Sequence, residues 1–378
     1  MPSYGFLSTH PPTRCGLATF NSALATQLTA DGTRGGIVRV ADRRDDQRAG
    51  PEVVHTWPMH APAGWRDAAA ALNTFDVAVI QHEFGIYPGA DGEDVLPLLY
   101  RLTVPSIVVL HTVLRQPSAR QKSLLERIVA AAGAVVTMTD TARDRLLVGY
   151  GVEPGKVTVI PHGADDHVDV PVDRRTRPHL LTWGLLGPGK GIEWSLRALA
   201  RLQDLEPTPT YTVAGRTHPK VIEHHGETYR SGLHRLGAQL GVAHAVDYQD
   251  FYHGQSALAR LIRSADVVVL PYDSPEQVTS GVLIEAVAAG VPVVATAFPH
   301  AVELLTGGPG LVVPHQNPVA LAAAIRRVLT EPGLAHRLAG RVRPLAAHVR
   351  WPAVAARYGI LAERLTEVRP PAVSAASA

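Results

Sequence analysis

Residues 180–199, LLTWGLLGPGKGIEWSLRAL, decide the fold. An apolar run over Leu180–Leu185 predicts a strand, Gly187, Gly189 and Gly191 predict a turn, and a helical pattern follows over Ile192–Leu202. A strand that turns through glycine into a helix leaves the first helical amides free, and glycine lets backbone approach an anion closely. The helix start supplies about half a unit charge. A lysine there, Lys190, would add about 4 kcal/mol toward a phosphate oxygen about 4 Å away at an effective dielectric of 20. The plain alternative is a solvated lysine on a surface turn.

The same unit recurs on both sides. Before it, strands are expected at Tyr4–Thr9, Gly36–Val40, Val77–His82, Ser106–His111, Val135–Thr139 and Val157–Pro161, with helices at Leu17–Ala30, Trp65–Leu72, Ala119–Ala131 and Thr141–Val148. After it come strands at Tyr211–Ala214, Val246–Tyr248, Val267–Pro271 and Val293–Thr296, and helices at Tyr229–Leu240, Leu258–Arg263, Val282–Ala289 and Val319–Leu329. The strands are apolar throughout rather than alternating, as in a parallel sheet covered on both faces. The class is therefore α/β, with two doubly wound Rossmann-like domains. Boundaries are set at 1–165 for the first domain and 166–350 for the second, with a polar Pro- and Asp-rich linker near 164–178 between them. A helix over about Ala353–Glu367, within a segment 351–368, is expected to return toward the first domain, and 369–378 reads as a disordered tail.

Composition excludes several classes. The chain has 378 residues, enough for two domains, and a net charge of +2 without blocks of like charge, which argues against a nucleic-acid binder. Its one cysteine, Cys15, excludes an internal disulfide and a cysteine-rich metal site. The histidines, including the His224–His225 pair, lack metal-ligand spacing, so no metal is expected. No signal peptide and no stretch of about 18 apolar residues is found, which makes the cytoplasm the expected compartment.

Three further segments carry candidate chemistry. PPTRCGLATF (11–20) is a strand-to-helix turn with Gly16 at the helix start; it lacks a G-x-G-x-x-G pattern, and a turn without a ligand is the competing reading. LPYDSPEQVTSGVLIEAVAAGVPVVAT (270–296) ends a strand in a polar loop, and Thr279, Ser280 and Gly281 open a helix with Glu285 about one turn inside. A carboxylate there suits ribose hydroxyls, the task of the acidic residue in other nucleotide folds. Alternatively Glu276 is a loop charge and Glu285 a partner of the helix dipole. QHEFGIY (81–87) and VLHTVL (109–114) place His82 and His111 at strand ends, as ligand-facing or as hydrogen-bonded structural histidines.

Taken together, these residues resemble the retaining nucleotide-sugar glycosyltransferases of family 4, with the GT-B fold of two Rossmann-like domains facing across a cleft. The resemblance is carried by the Gly16 turn, VTVIPHGAD (157–165), the turn ending at Lys190-Gly191, ADVVVLPY (265–272) and SGVLIEAVAAGVPVVAT (280–296). It implies that Gly16 amides and Lys190 bind the donor diphosphate, that Glu285 holds the ribose, that loop 276–281 reads the sugar, and that His111 faces the sugar. Two positions depart from the family. Leu185 stands where the family has arginine, leaving Arg14 and Arg216 as candidate second cations. Gln277 takes the place of the first of two glutamates separated by seven residues, with Glu276 shifted by one. An amide still hydrogen-bonds hydroxyls but brings no negative charge.

The implied reaction moves a sugar, a hexose and mannose among the options, from a nucleoside diphosphate to an acceptor hydroxyl with retention. No cofactor beyond the donor is expected, and the acceptor is a glycan, a lipid or a small molecule. No side chain reads as a nucleophile; the family picture is same-face attack with the leaving phosphate oxygen taking the acceptor proton, and catalysis rests on stabilising the departing diphosphate. Rival readings are an epimerase or phosphorylase of the same fold, or a weakly catalytic nucleotide-sugar binding protein.

Overall fold

The computed structural model describes residues 1–42, 50–61, 63–167, 170–171 and 175–367. They divide into two compact units, Met1–Pro161 together with the chain from Trp351 onward, and His162–Arg350. The division falls at Pro161/His162, slightly ahead of the boundary read at 165. The segment 369–378 lies outside the described residues.

Seven parallel strands form the first unit's sheet: β1 (Tyr4–Ser8), β2 (Gly35–Ala41), β3 (Val53–Pro58), β4 (Val77–His82), β5 (Ser106–Leu110), β6 (Ala134–Thr137) and β7 (Val157–Val159), in the order β3-β2-β1-β4-β5-β6-β7. Every residue of β1, β4, β5 and β6 is buried, which is why these strands read as unbroken apolar runs. The accompanying helices are α1 (Gly16–Leu28), α2 (Trp65–Leu72), α3 (Val95–Arg101), α4 (Ala119–Ala131) and α5 (Asp140–Gly149). Ser118 and Gln121 close a reciprocal capping box at the start of α4.

In the second unit the strands are β8 (His179–Trp183), β9 (Thr210–Ala214), β10 (Val246–Gln249), β11 (Val267–Leu270), β12 (Val293–Thr296) and β13 (Gly310–Val313), all parallel, in the order β10-β9-β8-β11-β12-β13. Its helices are α6 (Ile192–Leu199), α7 (Pro219–His225), α8 (Thr228–Gln239), α9 (Gln255–Arg263), α10 (Gly281–Ala288), α11 (Pro299–Leu305), α12 (Pro318–Thr330) and α13 (Leu334–Val349). The last helix, α14 (Trp351–Glu367), belongs to the first unit. There Trp351, Val354, Tyr358 and Ala362 share a core with Phe20 and Leu24 of α1, and the Trp351 ring meets the Phe20 ring edge-on at 5.1 Å.

Several elements escaped the sequence reading for identifiable reasons. β3 and β13 lie at sheet edges; β3 (VVHTWP) mixes polar residues into its run, and β13 (GLVV) is a short run directly behind Gly307, Gly308 and Pro309. α3, α7, α11 and α13 each contain a proline (Pro97, Pro219, Pro299, Pro344), a residue that interrupts a helical pattern in sequence; in α7 and α11 it stands in the first turn, where its missing N–H costs nothing. The strand expected to reach Leu185 stops at Trp183, because Gly184 takes φ +114° and turns the chain.

Candidate active site

In both sheets the strand order reverses beside the first strand of the unit, between β1 and β4 and between β8 and β11. The carboxyl ends of strands at such a switch point are where open α/β sheets bind ligands. In the second unit, residues 184–191 follow β8 and residues 271–280 follow β11, so the two segments singled out in the sequence emerge side by side.

Their contact is close. The Asp273 N–H donates to Gly189 O at 2.9 Å. Gly191 caps α6 at φ +65°, and a Cβ there would lie 1.9 Å from Pro271 O. No side chain fits, so glycine is what lets the turn dock on the end of β11. A Cβ at Gly184 would meet the Val282 side chain at 3.7 Å, which brings the end of β8 against the start of α10.

Lys190 stands in this junction. Its Nζ lies over the Tyr272 ring, 4.3 Å from the centroid, and no carboxylate pairs with it among the described residues. Burial pushes its pKa down to about 8. Its charge is felt by His218, which is held below its ordinary value by burial first, then by Lys220 and Lys190. A partly buried cation lacking an anion is primed to accept one.

The start of α10 supplies donors. Ser280 caps the helix: its Oγ accepts the Leu283 N–H at 3.3 Å, while its own N–H donates to Nδ1 of His300 at 2.8 Å. The N–H groups of Gly281 and Val282 have no acceptor among the described residues, and the buried Thr279 Oγ1 has no partner there either. Gly281 is tight because the His162 ring lies 2.8 Å from where a Cβ would stand. Further along the helix, burial raises the Glu285 carboxyl to about 7, the Asp165 charge adds to the rise, and a hydrogen bond with the Trp183 side chain opposes it.

The remaining predicted residues have definite places. Arg216 is exposed directly after β9, its carbonyl accepting the Leu186 N–H at 2.8 Å, so its backbone abuts the glycine turn. Leu185 is half-buried in that turn. Glu276 and Gln277 are half-buried in the loop, and Gln277 O accepts the backbone N–H of His300 at 3.4 Å.

In the first unit, Gly16 opens α1 and Arg14 is exposed on the turn before it. A Cβ on Gly16 would meet nothing within 4 Å, and no positive φ demands glycine there. Cys15 caps the helix through Sγ, accepting from Ala18 N at 3.4 Å. The Nε2 of His111 hydrogen-bonds Gln81 Oε1 at 2.9 Å, and its ring meets Phe20 edge-on at 4.9 Å. His82 is fully buried and pushed down to about 4 by that burial.

Trp183, Tyr272, His218 and His300 were missed from the sequence. Trp183 ends β8 and Tyr272 follows β11, while His218 caps α7 and His300 lies in the first turn of α11, but an isolated aromatic or histidine carries no spacing that marks it. Among the described residues no group of three or more His, Cys, Asp or Glu is placed to hold a metal ion, and no helix is long and apolar enough to cross a membrane.

Comparison with known proteins bears on the family and on the fold. Residues 177–331 match the family model described as glycosyl transferases group 1, and residues 15–168 match that described as glycosyltransferase family 4. Among curated proteins, a D-inositol 3-phosphate glycosyltransferase of Stackebrandtia nassauensis is 33% identical over 240 residues, covering 60% of this chain and 53% of the relative. A protein of the same name from Acidothermus cellulolyticus is 29% identical over 377 residues, covering 88% and 81%. The chain spans about half to two thirds of the length of the first such relatives, 53%, 64% and 56%. Among solved structures, sucrose-phosphate synthase from Thermosynechococcus elongatus superposes with a TM-score of 0.75 at 20% identity, covering 98% of this chain and 100% of that one. Anabaena HepE in complex with UDP-glucose gives 0.75 at 16%, covering 96% and 100%. At these identities the structures speak for the fold, which is GT-B.

Proposed function

The chain belongs to the family 4 glycosyltransferases, and on that premise we propose that it transfers a hexose from a nucleoside diphosphate sugar to an acceptor hydroxyl, with retention and without a metal ion. The observation that carries the reading is Lys190: a cation drawn out of water, with no carboxylate against it among the described residues, seated on Tyr272 in the loop that leads to a helix start with two unused amides. A diphosphate satisfies all three at once, since its oxygens accept hydrogen bonds and carry the missing negative charge.

The chemistry follows from where charge develops. As the glycosidic bond to the diphosphate breaks, its electron pair stays on the β-phosphate oxygen, and Lys190 with the Gly281 and Val282 amides stabilises that oxygen in place of a divalent cation. The acceptor oxygen forms its new bond to the anomeric carbon on the face the diphosphate leaves, and its proton passes to the departing phosphate. Glu285 receives the ribose hydroxyls, and Gln277 and Thr279 offer neutral hydrogen bonds to the sugar. Arg216, exposed after β9, is the second cation in place of the family arginine replaced by Leu185. Arg14 and Gly16 are assigned to the diphosphate and His111 to the sugar on the resemblance alone.

Curated relatives named for D-inositol 3-phosphate put a phosphorylated polyol first among acceptors to try. The decisive experiment incubates the protein with UDP-, GDP- and ADP-hexoses, mannose donors included, with and without such an acceptor, and measures nucleoside diphosphate release in EDTA. Acceptor-dependent release unaffected by EDTA supports the reading. An altered sugar nucleotide formed without acceptor makes the protein an epimerase instead, and binding without turnover makes it a binding protein.

A further inference from the structure

The loop that precedes α10 is gripped twice by one residue outside it. His300, in the first turn of α11, donates its backbone N–H to Gln277 O at 3.4 Å and accepts the Ser280 N–H on Nδ1 at 2.8 Å. The ring is only 3% exposed, so this bond is made without competition from water. Because an N–H donates to it, Nδ1 presents a lone pair and the ring proton sits on Nε2. Burial first, and His162 second, hold the ring's pKa down to about 3, which keeps that lone pair available.

The double grip spans the residues the proposed reaction needs. Between its two anchor points lie Val278 and Thr279, and directly after it come the two amides without acceptors, on Gly281 and Val282. With the Ser280 amide committed to His300 and its Oγ committed to Leu283, Ser280 itself has no N–H left for a ligand. The peptide plane is thereby fixed, and with it the direction of the amides that follow. We propose that His300 is the positioning residue of the donor loop: through Nδ1 it orients the Ser280 peptide so that the Gly281 and Val282 amides and the Thr279 hydroxyl converge on the diphosphate sugar. The proposal rests on the donor reading of this loop.

Two variants separate orientation from bulk. In His300→Asn, Oδ1 can stand where Nδ1 stood and accept the same N–H; His300→Leu fills the space but offers no acceptor. Two measurements are made on the full chain: titration calorimetry with UDP, GDP and ADP, and hydrogen exchange of the unliganded protein. The leucine variant is expected to lose about tenfold in affinity for the diphosphate the wild type prefers, and the asparagine variant to stay within about threefold. Exchange in the peptide covering 276–283 is expected to quicken in the leucine variant alone, with the other peptides unchanged. Equal affinity in wild type and leucine variant, equal losses in both variants, or faster exchange throughout the second unit overturns the proposal. If the wild type binds none of the three diphosphates, the donor reading fails by itself, and the exchange pattern still decides whether His300 orients the loop.

Discussion

Lys190 stands with its ammonium 4.3 Å from the centroid of the Tyr272 ring, so the cation on the turn after β8 is seated on the first residues after β11. The ring face steadies a charge that burial disfavours, and it leaves the rest of the ammonium to donate elsewhere. Cation–π contact is worth about 0.5–2 kcal/mol, less than a phosphate would give.

Lys190→Ala is therefore expected to fold normally and to lose donor use. The thermal midpoint should rise or stay level, since a partly desolvated charge is removed. The turnover ratio kcat/KM should fall by about two to three orders of magnitude, corresponding to about 3–4 kcal/mol. Near-normal turnover would withdraw Lys190 from the phosphate. In the wild type, kcat/KM should decline as pH rises past about 8, where the free enzyme's lysine gives up its proton.

Glu285 predicts opposite trends for stability and binding. Its carboxyl is raised from 4.5 to about 7 in the folded chain. Between those values the native state keeps a proton that the unfolded chain releases, so the contribution is complete below 4.5 and is lost as pH climbs through 7. Glu285→Gln should thus gain stability relative to wild type as pH goes from 5 to 8, by about 1–2 kcal/mol in denaturant titration after allowance for partial exposure. Donor affinity should instead rise through pH 7 in the wild type, because the ionised carboxylate is the better acceptor for ribose hydroxyls, and should be flat in the variant. Calorimetry in two buffers of different ionisation enthalpy would reveal the proton released on binding.

Gly191→Ala tests the docking of the glycine turn. A methyl group there would have to displace the Pro271 carbonyl, 1.9 Å away, from a backbone at φ +65°. A stability loss of about 2–4 kcal/mol is expected by denaturant titration, together with weaker nucleotide binding. Wild-type stability in this variant would mean the turn is not seated on β11.

Gly16→Val makes the contrary prediction. With open space around the added side chain and no positive φ, the thermal midpoint should move by no more than about 2 °C. A fall in donor affinity at unchanged stability assigns this glycine to ligand contact, whereas unchanged affinity leaves it as an ordinary helix start.

The buried strands were legible because burial on both faces writes the same apolar run into β4 and into β12, whose limits were read to the residue. Lys190, Gly191 and the Thr279–Gly281 helix start were legible because strand, glycine turn and helix follow in a fixed order. The carboxylate of Glu285 was legible as a residue but not as a group titrating near neutrality, since that depends on Trp183 and Asp165, which lie far from it along the chain.

By itself the sequence determined the α/β class, the two parallel sheets and the segments that turn at their carboxyl ends, because hydrophobic period and glycine placement are local properties. Only the tertiary structure decided that Lys190 rests on Tyr272, that His300 holds the Ser280 amide and that His111 is tied to Gln81. Those pairings join residues 20 to 82 positions apart, and the physical reason is topological: parallel crossovers return each strand end to the same edge of the sheet, so groups remote in the chain become neighbours only once the sheet has closed its order.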